Sequence, residues 1–236
     1  MSVSSQDVSF VVPDFLGETI SYRLKYGIFN IGRASISCLE TAQGDDCHIT
    51  AEARSTGWIK IFKDLNYRFE SYMDTATGLP NFAIRSLKDG RFNLYNELTF
   101  DHNSRTDSAI IFSQISGEHV VSKNIFDILT GFLHFRQNFL TGNMVVGEEL
   151  IIKTFFTDEL WDLKITYAGE ETINTNFGEF ACYVYKPVTV IGRFFKNDDD
   201  MSVWFTKSET PIPVKIQANL KFGHITCECV EYQSPK

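Results

Sequence analysis

The sequence lacks several features that would place it in common functional classes. It has no apolar run of about eighteen residues, so no segment predicts a membrane-spanning helix. Basic residues are too few for a nucleic-acid-binding surface, because 22 Lys and Arg are set against 30 Asp and Glu, for a formal net charge of −8. Proline is scarce at six residues, and no Pro-rich, Ser-rich or low-complexity stretch marks a linker. We therefore expect a single domain over residues 15–236, preceded by a polar tail at 1–14.

The cysteines and histidines form no recognisable metal or catalytic motif. Five cysteines cannot all pair within one chain, none belongs to a CxxC pair, and their spacing fits no zinc template. The patterns GxGxxG, GxxxxGK[ST] and HExxH are absent. The three consecutive aspartates at 198–200 lack the alternating ligands of a calcium loop and favour a solvated hairpin turn. The sequence therefore predicts no cofactor, no metal site and no catalytic residue.

Apolar and polar residues alternate along most of the chain. At 20–26, Ile, Tyr, Leu and Tyr share one parity while polar residues occupy the other, and similar alternation recurs at 92–100, 161–167 and 214–220. Such a period of two is typical of antiparallel strands with one face in a core and the other in water. Turn signals divide these runs into about a dozen strands.

Residues 124–140 break this alternation and predict a helix. Asn124 followed by Asp127 resembles a capping box, and Gly142 supplies a stop signal. Around this helix, about half of the circumference is apolar: Ile125, Phe126, Ile128, Leu129, Phe132, Leu133, Phe135, Phe139 and Leu140. A face this broad predicts a mainly β fold, with one large antiparallel rolled sheet or open barrel around a single central helix. Phe132 lies at mid-face, so we expect Phe132→Ala to cost about 3–5 kcal/mol by leaving a cavity.

Arg136 is the only charged residue on the apolar face of the predicted helix. A guanidinium buried there needs a carboxylate partner, because an unpaired buried charge is too costly. Glu18 shares the inward parity of Ile20 and is the first candidate; Glu171 is the second. The alternative is that Arg136, one turn from the helix end, extends to water and interacts with the negative helix terminus.

Asp127 and His134 share the narrow polar stripe of the same helix. A general base with an orienting carboxylate is one interpretation of the pair. Seven residues of helix span about 10.5 Å, which is too far for a direct hydrogen bond. We therefore assign Asp127 to capping and His134 to a structural role. Cys227 and Cys229 lie two apart on one predicted strand, which favours two buried thiols over a reactive pair.

Short motifs follow one another in a characteristic order along the chain. They are FLGE at 15–18 before YRLKYG at 22–27, GRA at 32–34, FLHFR at 132–136 after Asp127, GEFAC at 178–182, VWFT at 203–206, which contains Trp204, and IPVK at 212–215. Together they resemble a bacterial family known only as domain-of-unknown-function family 3108. The resemblance extends over about 15–231. It implies a spiral β-roll, exported to the envelope of Gram-negative bacteria, with no assigned activity.

The resemblance and the residues leave two kinds of function open. Residues 1–14 contain no basic region or apolar region of a secretory signal, so the chain is either cytoplasmic or an exported protein whose signal has been removed. We expect a non-catalytic periplasmic or envelope protein that binds an apolar ligand, a lipid or a protein partner. An apolar ligand would sit at the mouth of the roll, because the helix fills the centre. The alternative is a hydrolase whose site is assembled from dispersed His, Asp and Glu. Six residues are candidates for ligand-binding or structural roles: Glu18, Asp127, Phe132, His134, Arg136 and Trp204.

Overall fold

Strands dominate the computed structural model, which describes residues 3–4, 15–42, 46–57, 59–62, 64–140, 144–188, 201–220 and 222–235. The strands are β1 Val3–Ser4, β2 Thr19–Tyr26, β3 Phe29–Glu40, β4 Asp46–Ser55, β5 Leu65–Asp74, β6 Pro80–Asp89, β7 Phe92–Asp101, β8 Ser108–Ser113, β9 Gly117–Ser122, β10 Glu149–Phe156, β11 Glu159–Thr175, β12 Gly178–Pro187, β13 Met201–Thr206, β14 Pro213–Asn219 and β15 His224–Gln233. The helices are the short α1, Ile59–Phe62, and the central α2, Ile128–Phe139.

All fifteen strands belong to one sheet, in the order β1-β10-β11-β12-β13-β14-β15-β2-β3-β4-β5-β6-β7-β8-β9. Strands β2 to β15 pair antiparallel throughout, and only β1 runs parallel to its neighbour β10. The N-terminal and C-terminal sets of strands therefore meet where β15 pairs with β2. Within the described residues β9 and β1 are the end strands, so the sheet is rolled but not closed. The predicted fold class is confirmed.

The segment before α2 lies between the two ends of the rolled sheet. Phe126 forms a parallel bridge with Thr154 of β10, and its backbone N–H donates to the carbonyl of Lys153 at 3.1 Å. Its carbonyl in turn accepts from the N–H of Phe155 at 2.7 Å. The adjacent Ile125 is fully buried with Phe155 in a core that includes strands β8 and β9. The chain thus spans the gap in the sheet before it turns into the helix.

The helix starts later than the sequence predicted. Asp127 is its N-cap: the carboxylate accepts from the N–H groups of the second and third helical residues. The hydroxyl of Thr130 accepts from the N–H of Asp127 at 3.1 Å, which completes a capping box. The predicted box of Asn124 with Asp127 is wrong, because the backbone of Phe126 is engaged with β10 and Asn124 has a left-handed φ of 57°.

The apolar residues of α2 differ in depth more than their spacing predicted. Leu133 and Phe135 are each 2% exposed. Leu133 packs against β3, β4 and β5, whereas Phe135 packs edge-on to Tyr185 of β12, with 5.0 Å between ring centroids. Phe132 is only partly buried between these two clusters. The expectation that Phe132 is a fully packed core residue is therefore wrong, since periodicity identifies a face but not how far the sheet stands from it.

Some predicted features lie outside the described residues. They are the stop signal at Gly142, the turn at 198–200 and all of the tail at 1–14 except β1. Among the helices in the described ranges, none has the length and apolar character needed to cross a bilayer.

The difference in depth predicts different costs for two neighbouring truncations. We expect Phe135→Ala to lower the free energy of unfolding by about 3–5 kcal/mol, because it leaves a cavity among packed rings. Phe132→Ala should cost clearly less, since part of its ring already faces open space. Urea unfolding of both variants measures the difference. Equal losses, or a larger loss for Phe132→Ala, would contradict this description of the helix.

Candidate functional site

Arg136 and Glu18 form a buried ion pair between α2 and the segment that enters β2. Each residue is 3% exposed. The guanidinium contacts both carboxylate oxygens, with Nη2 at 2.7 Å from Oε1 and Nη1 bonded to Oε2. Its Nε donates to the carbonyl of Pro211 at 2.7 Å, and the ring of Phe15 lies beneath it at 5.0 Å. Glu18 is therefore the partner, as parity predicted, and Arg136 does not extend to water.

The second candidate partner is used elsewhere. Glu171 accepts a hydrogen bond of 2.7 Å from the indole Nε1 of Trp204. The ammonium of Lys215 lies 4.2 Å from the centroid of the indole ring, on the neighbouring strand. Trp204 is 7% exposed and packs with Ile20 and Tyr22. It is thus a core residue with a satisfied polar group.

Asp127 and His134 are both buried and have separate partners. The carboxylate of Asp127 caps the helix and accepts from the hydroxyl of Ser71, and burial raises the pKa of this carboxyl. His134 stacks on Phe126 at 4.6 Å between centroids, its Nδ1 lies 3.2 Å from Nδ2 of Asn138, and burial lowers the pKa of its imidazole. Both residues of the predicted polar stripe are therefore buried in the fold.

A polar cluster that sequence reasoning missed brings together a serine, a histidine and an aspartate. The hydroxyl of Ser116 is 2.8 Å from Nε2 of His119 and donates to Asp158 at 2.9 Å. Asp158 also accepts from Ser113 and Asn96. Burial acts to raise the pKa of the Asp158 carboxyl, but the hydrogen bonds from these hydroxyls outweigh it and lower the pKa.

The hydrogen bonds of this cluster do not follow the carboxylate–histidine–serine chain of a hydrolase triad. In a triad the carboxylate orients the histidine, which then accepts the proton of the serine. Here the carboxylate of Asp158 binds the serine hydroxyls, and the ring of His119 packs against Phe155 at 5.0 Å. The cluster instead holds the β10–β11 turn, where Thr157 and Asp158 have positive φ, against β7 and β8. Its signal in the sequence is weak, because its members come from separate strands and turns.

A large apolar space lies beside α2, and we call it the apolar groove. Its volume is about 820 Å³. Its helix side is formed by Ile128, Leu129, Phe132 and Phe135. One sheet wall carries Ala34, Ile36, Ala51, Ala53, Tyr67 and Phe69, and the other carries Trp161, Leu163, Ile165, Tyr185, Val203 and Phe205. The expectation that the helix fills the centre of the roll is therefore wrong.

Small side chains explain why the groove stays open. Ala34 lies directly opposite Ala53, and Ala51 lies opposite Ile36, on the helix-facing side of β3 and β4. An alanine at an inward position cannot span the distance between a sheet and a packed helix, which is about 10 Å. Alternating inward alanines were the sequence signal for this space. Among the described residues that line the groove, Glu52 is the only carboxylate, and it is paired with Arg68 at 3.0 Å.

Two of the cysteines are bonded to each other. Cys38 of β3 and Cys47 of β4 form a disulfide, and both are buried. Cys182 and Cys229 are buried free thiols, and Cys227 is partly buried. Burial raises the pKa of the thiols of Cys182 and Cys227 to about 11, so neither is a reactive thiolate at neutral pH. The expectation of structural thiols at 227 and 229 fits this arrangement. No cluster of metal-ligating side chains is found in the described ranges.

The buried ion pair predicts a strong asymmetry between single and double substitutions. Glu18→Gln or Arg136→Met should each cost about 3–5 kcal/mol, because either one leaves an uncompensated group in the interior. The double variant Glu18→Leu/Arg136→Met should recover a large part of that loss, since it removes both charges. Chemical denaturation of the variants gives the coupling energy. Additive losses in the double variant would show that the pair is not energetically coupled.

Comparison with known proteins identifies the family of this chain and a solved structure with a similar fold. The family model described as "Protein of unknown function (DUF3108)" matches residues 21–230. No curated protein matches the sequence. A crystal structure of a beta-barrel-like protein of domain of unknown function DUF1849 from Brucella abortus is similar to this chain, with 11% identity and a TM-score of 0.59. The match covers 97% of this chain and 100% of that one, and at this identity it shows the fold alone. The match over nearly all of the rolled sheet shows that this chain belongs to the DUF3108 family.

Proposed function

We propose that this protein is a non-catalytic binder of an apolar ligand, and that the ligand is the acyl chain of a lipid held in the apolar groove. The observation that carries the proposal is an 820 Å³ space lined almost wholly by aliphatic and aromatic side chains. Ligand sites of this kind are typically concave, mostly apolar and about 300–1,000 Å³ in volume. Leaving such a surface wet is costly, and a bound hydrocarbon removes that cost.

The shape of the groove favours a flexible chain over a compact polar molecule. Along one turn of α2, Ile128, Leu129 and Phe132 present a continuous apolar strip that is only partly buried. Ala53 and Trp161 belong to the two sheet walls of the same space, so the strip on the helix faces apolar side chains from both halves of the sheet. Among the described residues that line the groove there is no histidine, lysine or arginine and a single carboxylate, Glu52, which argues against acid–base chemistry at this position.

The alternative, a hydrolase built from dispersed His, Asp and Glu, is supported less well. In the cluster of Ser116, His119 and Asp158, the carboxylate accepts hydrogen bonds from serine hydroxyls instead of orienting the histidine. The cluster has a structural role instead, because it holds the β10–β11 turn against β7 and β8. We therefore do not adopt the hydrolase.

The proposed location of the protein is the periplasm or cell envelope. The disulfide between Cys38 and Cys47 supports it, because disulfides form and persist mainly in oxidising compartments. A lipid-binding role agrees with that location, since the envelope is where acyl chains would have to cross an aqueous space.

Binding to the groove can be tested with a fluorescent fatty acid. We expect the purified protein to bind this probe and to quench Trp161, which lines the groove. Ala53→Trp fills part of the space between β4 and α2 and should weaken binding by about tenfold or more. Thr99→Trp is the matched control, because it adds the same side chain at an exposed position of β7 and should leave binding unchanged.

The outcomes of this titration distinguish a protein that binds an apolar ligand from one that binds only a protein partner. Failure of the wild-type protein to bind any apolar probe would contradict the proposal. Equal binding by wild type and Ala53→Trp would place the probe elsewhere and also contradict it. Native mass spectrometry of the protein purified from its own host should show bound lipid. The Ala53→Trp variant should have lost that lipid.

The proposed location predicts a defined thiol pattern. In protein taken from the periplasmic or envelope fraction of the native host, peptide mapping without reductant should join Cys38 to Cys47. Cys182 and Cys229 should react with an alkylating reagent only after unfolding, because both are buried. A protein found only in the cytosol, with Cys38 and Cys47 reduced, would contradict this prediction.

A further inference from the structure

Three arginines lie directly opposite one another on the outer face of the sheet. Arg23 of β2 pairs in register with Arg33 of β3, and Arg33 pairs with Arg54 of β4. All three side chains are exposed, on the face opposite to the buried Tyr22. Side chains directly across a sheet are about 5 Å apart at Cβ, and like charges placed this way destabilise it. We call these residues the arginine row.

Two of the carboxylates near the arginine row, Glu228 and Glu52, are paired with other cations. Glu228 is opposite Arg23 but is bonded to Lys25 at 2.6 Å. Glu52 of β4 binds Arg68 at 3.0 Å. In the described part of the chain, no hydrogen bond or ion pair joins a member of the row to a carboxylate. The row therefore keeps its full positive charge, in a protein whose formal net charge is −8.

The arginine row lines a polar concavity with a volume of about 900 Å³. Lys60 of α1 and Asn66 of β5 line it too, and both can donate hydrogen bonds. Lys88 also lines it and is paired with Asp64 at 3.0 Å. Glu231 is the one carboxylate of the lining that forms no ion pair within the described ranges. Positive charge and donors thus predominate inside a shaped recess.

We propose that this recess binds a ligand that carries clustered phosphate groups. Guanidinium groups donate in a planar fork that matches two oxygens of a phosphate, and neighbouring forks suit adjacent phosphates. Such an anion also removes the repulsion between Arg23, Arg33 and Arg54. The arginine row and the alanines of the groove lie on opposite faces of β3 and β4, although Tyr22, Ala34, Ser35 and Glu52 line both spaces.

The local backbone supports a fixed spacing within the row. Gly32 precedes Arg33, and a Cβ atom at this position would collide with the carbonyl oxygen of Arg54. The absence of a side chain therefore lets β3 and β4 approach closely next to the row. Preorganised charges bind an anion better than mobile ones, because less conformational freedom is lost on binding.

The proposal can be tested with inorganic tripolyphosphate as the probe. Isothermal titration should show binding by the wild-type protein, and the affinity should fall as salt is added, because the contact is electrostatic. Arg33→Gln/Arg54→Gln should weaken binding by about tenfold or more. Arg91→Gln/Arg105→Gln is the control: it removes the same charge from two exposed positions outside the recess and should bind like wild type.

A thermal melt of the same proteins shows whether the variants fold. Without probe, Arg33→Gln/Arg54→Gln should melt at the same temperature as wild type or higher, since it relieves repulsion. Tripolyphosphate should raise the melting temperature of wild type and of the control but not of this variant. Absence of binding by wild type to both tripolyphosphate and vesicles, or equal binding by wild type and Arg33→Gln/Arg54→Gln, would overturn the proposal.

Vesicles distinguish a lipid headgroup from a free ligand as the source of the phosphates. Wild type that sediments with phosphatidylglycerol vesicles but not with phosphatidylcholine vesicles, with loss of binding in Arg33→Gln/Arg54→Gln, assigns the site to headgroups. Binding of tripolyphosphate without vesicle binding assigns it to a soluble phosphorylated ligand. Equal losses of binding in Arg33→Gln/Arg54→Gln and Arg91→Gln/Arg105→Gln would show that binding depends only on net charge. That result would contradict a specific site in the recess.

Discussion

The buried pair of Arg136 and Glu18 is the interaction on which the arrangement of helix and sheet depends. A charged residue inside an apolar interior is tolerated only if its partners are fixed, so the pair allows few positions for α2. Glu18 comes from the segment before β2, and the third partner, the carbonyl of Pro211, comes from the connection before β14. One side chain therefore joins the middle of the chain to both of its halves.

The two ends of α2 are held by different parts of the sheet. Its N-terminus is attached at the gap in the roll, where Phe126 pairs with β10 and Asp127 accepts from Ser71. Near its C-terminus, Arg136 is attached close to the junction of β15 and β2. The helix thus crosses the interior from the open seam to the centre of the sheet. Strands on either side of this path leave room for the apolar groove.

Period-two alternation predicted the antiparallel strands and the inward direction of Glu18, and the broad apolar face of the helix predicted that the sheet rolls around it. Periodicity did not predict depth: Phe132 and Phe135 both lie on the predicted apolar face, yet only Phe135 is fully packed. The start of α2 was also wrong, because the bridge between Phe126 and β10 is a contact between distant segments that no local signal encodes. Likewise, the cluster around Asp158 depends on three strands and two turns that come together only in the fold.

The order of the strands has a consequence for how this chain reaches its native state. The first and last long strands, β2 and β15, are neighbours at the centre of the sheet. One edge of β2 pairs with β3. Until β15 has been made, the other edge of β2 has no partner strand from its own chain. An open edge of this kind invites pairing with other molecules, and contacts between distant segments slow folding. Completion of the roll therefore waits until β15 has been made, and during that interval the unpaired edge of β2 is open to pairing with other molecules.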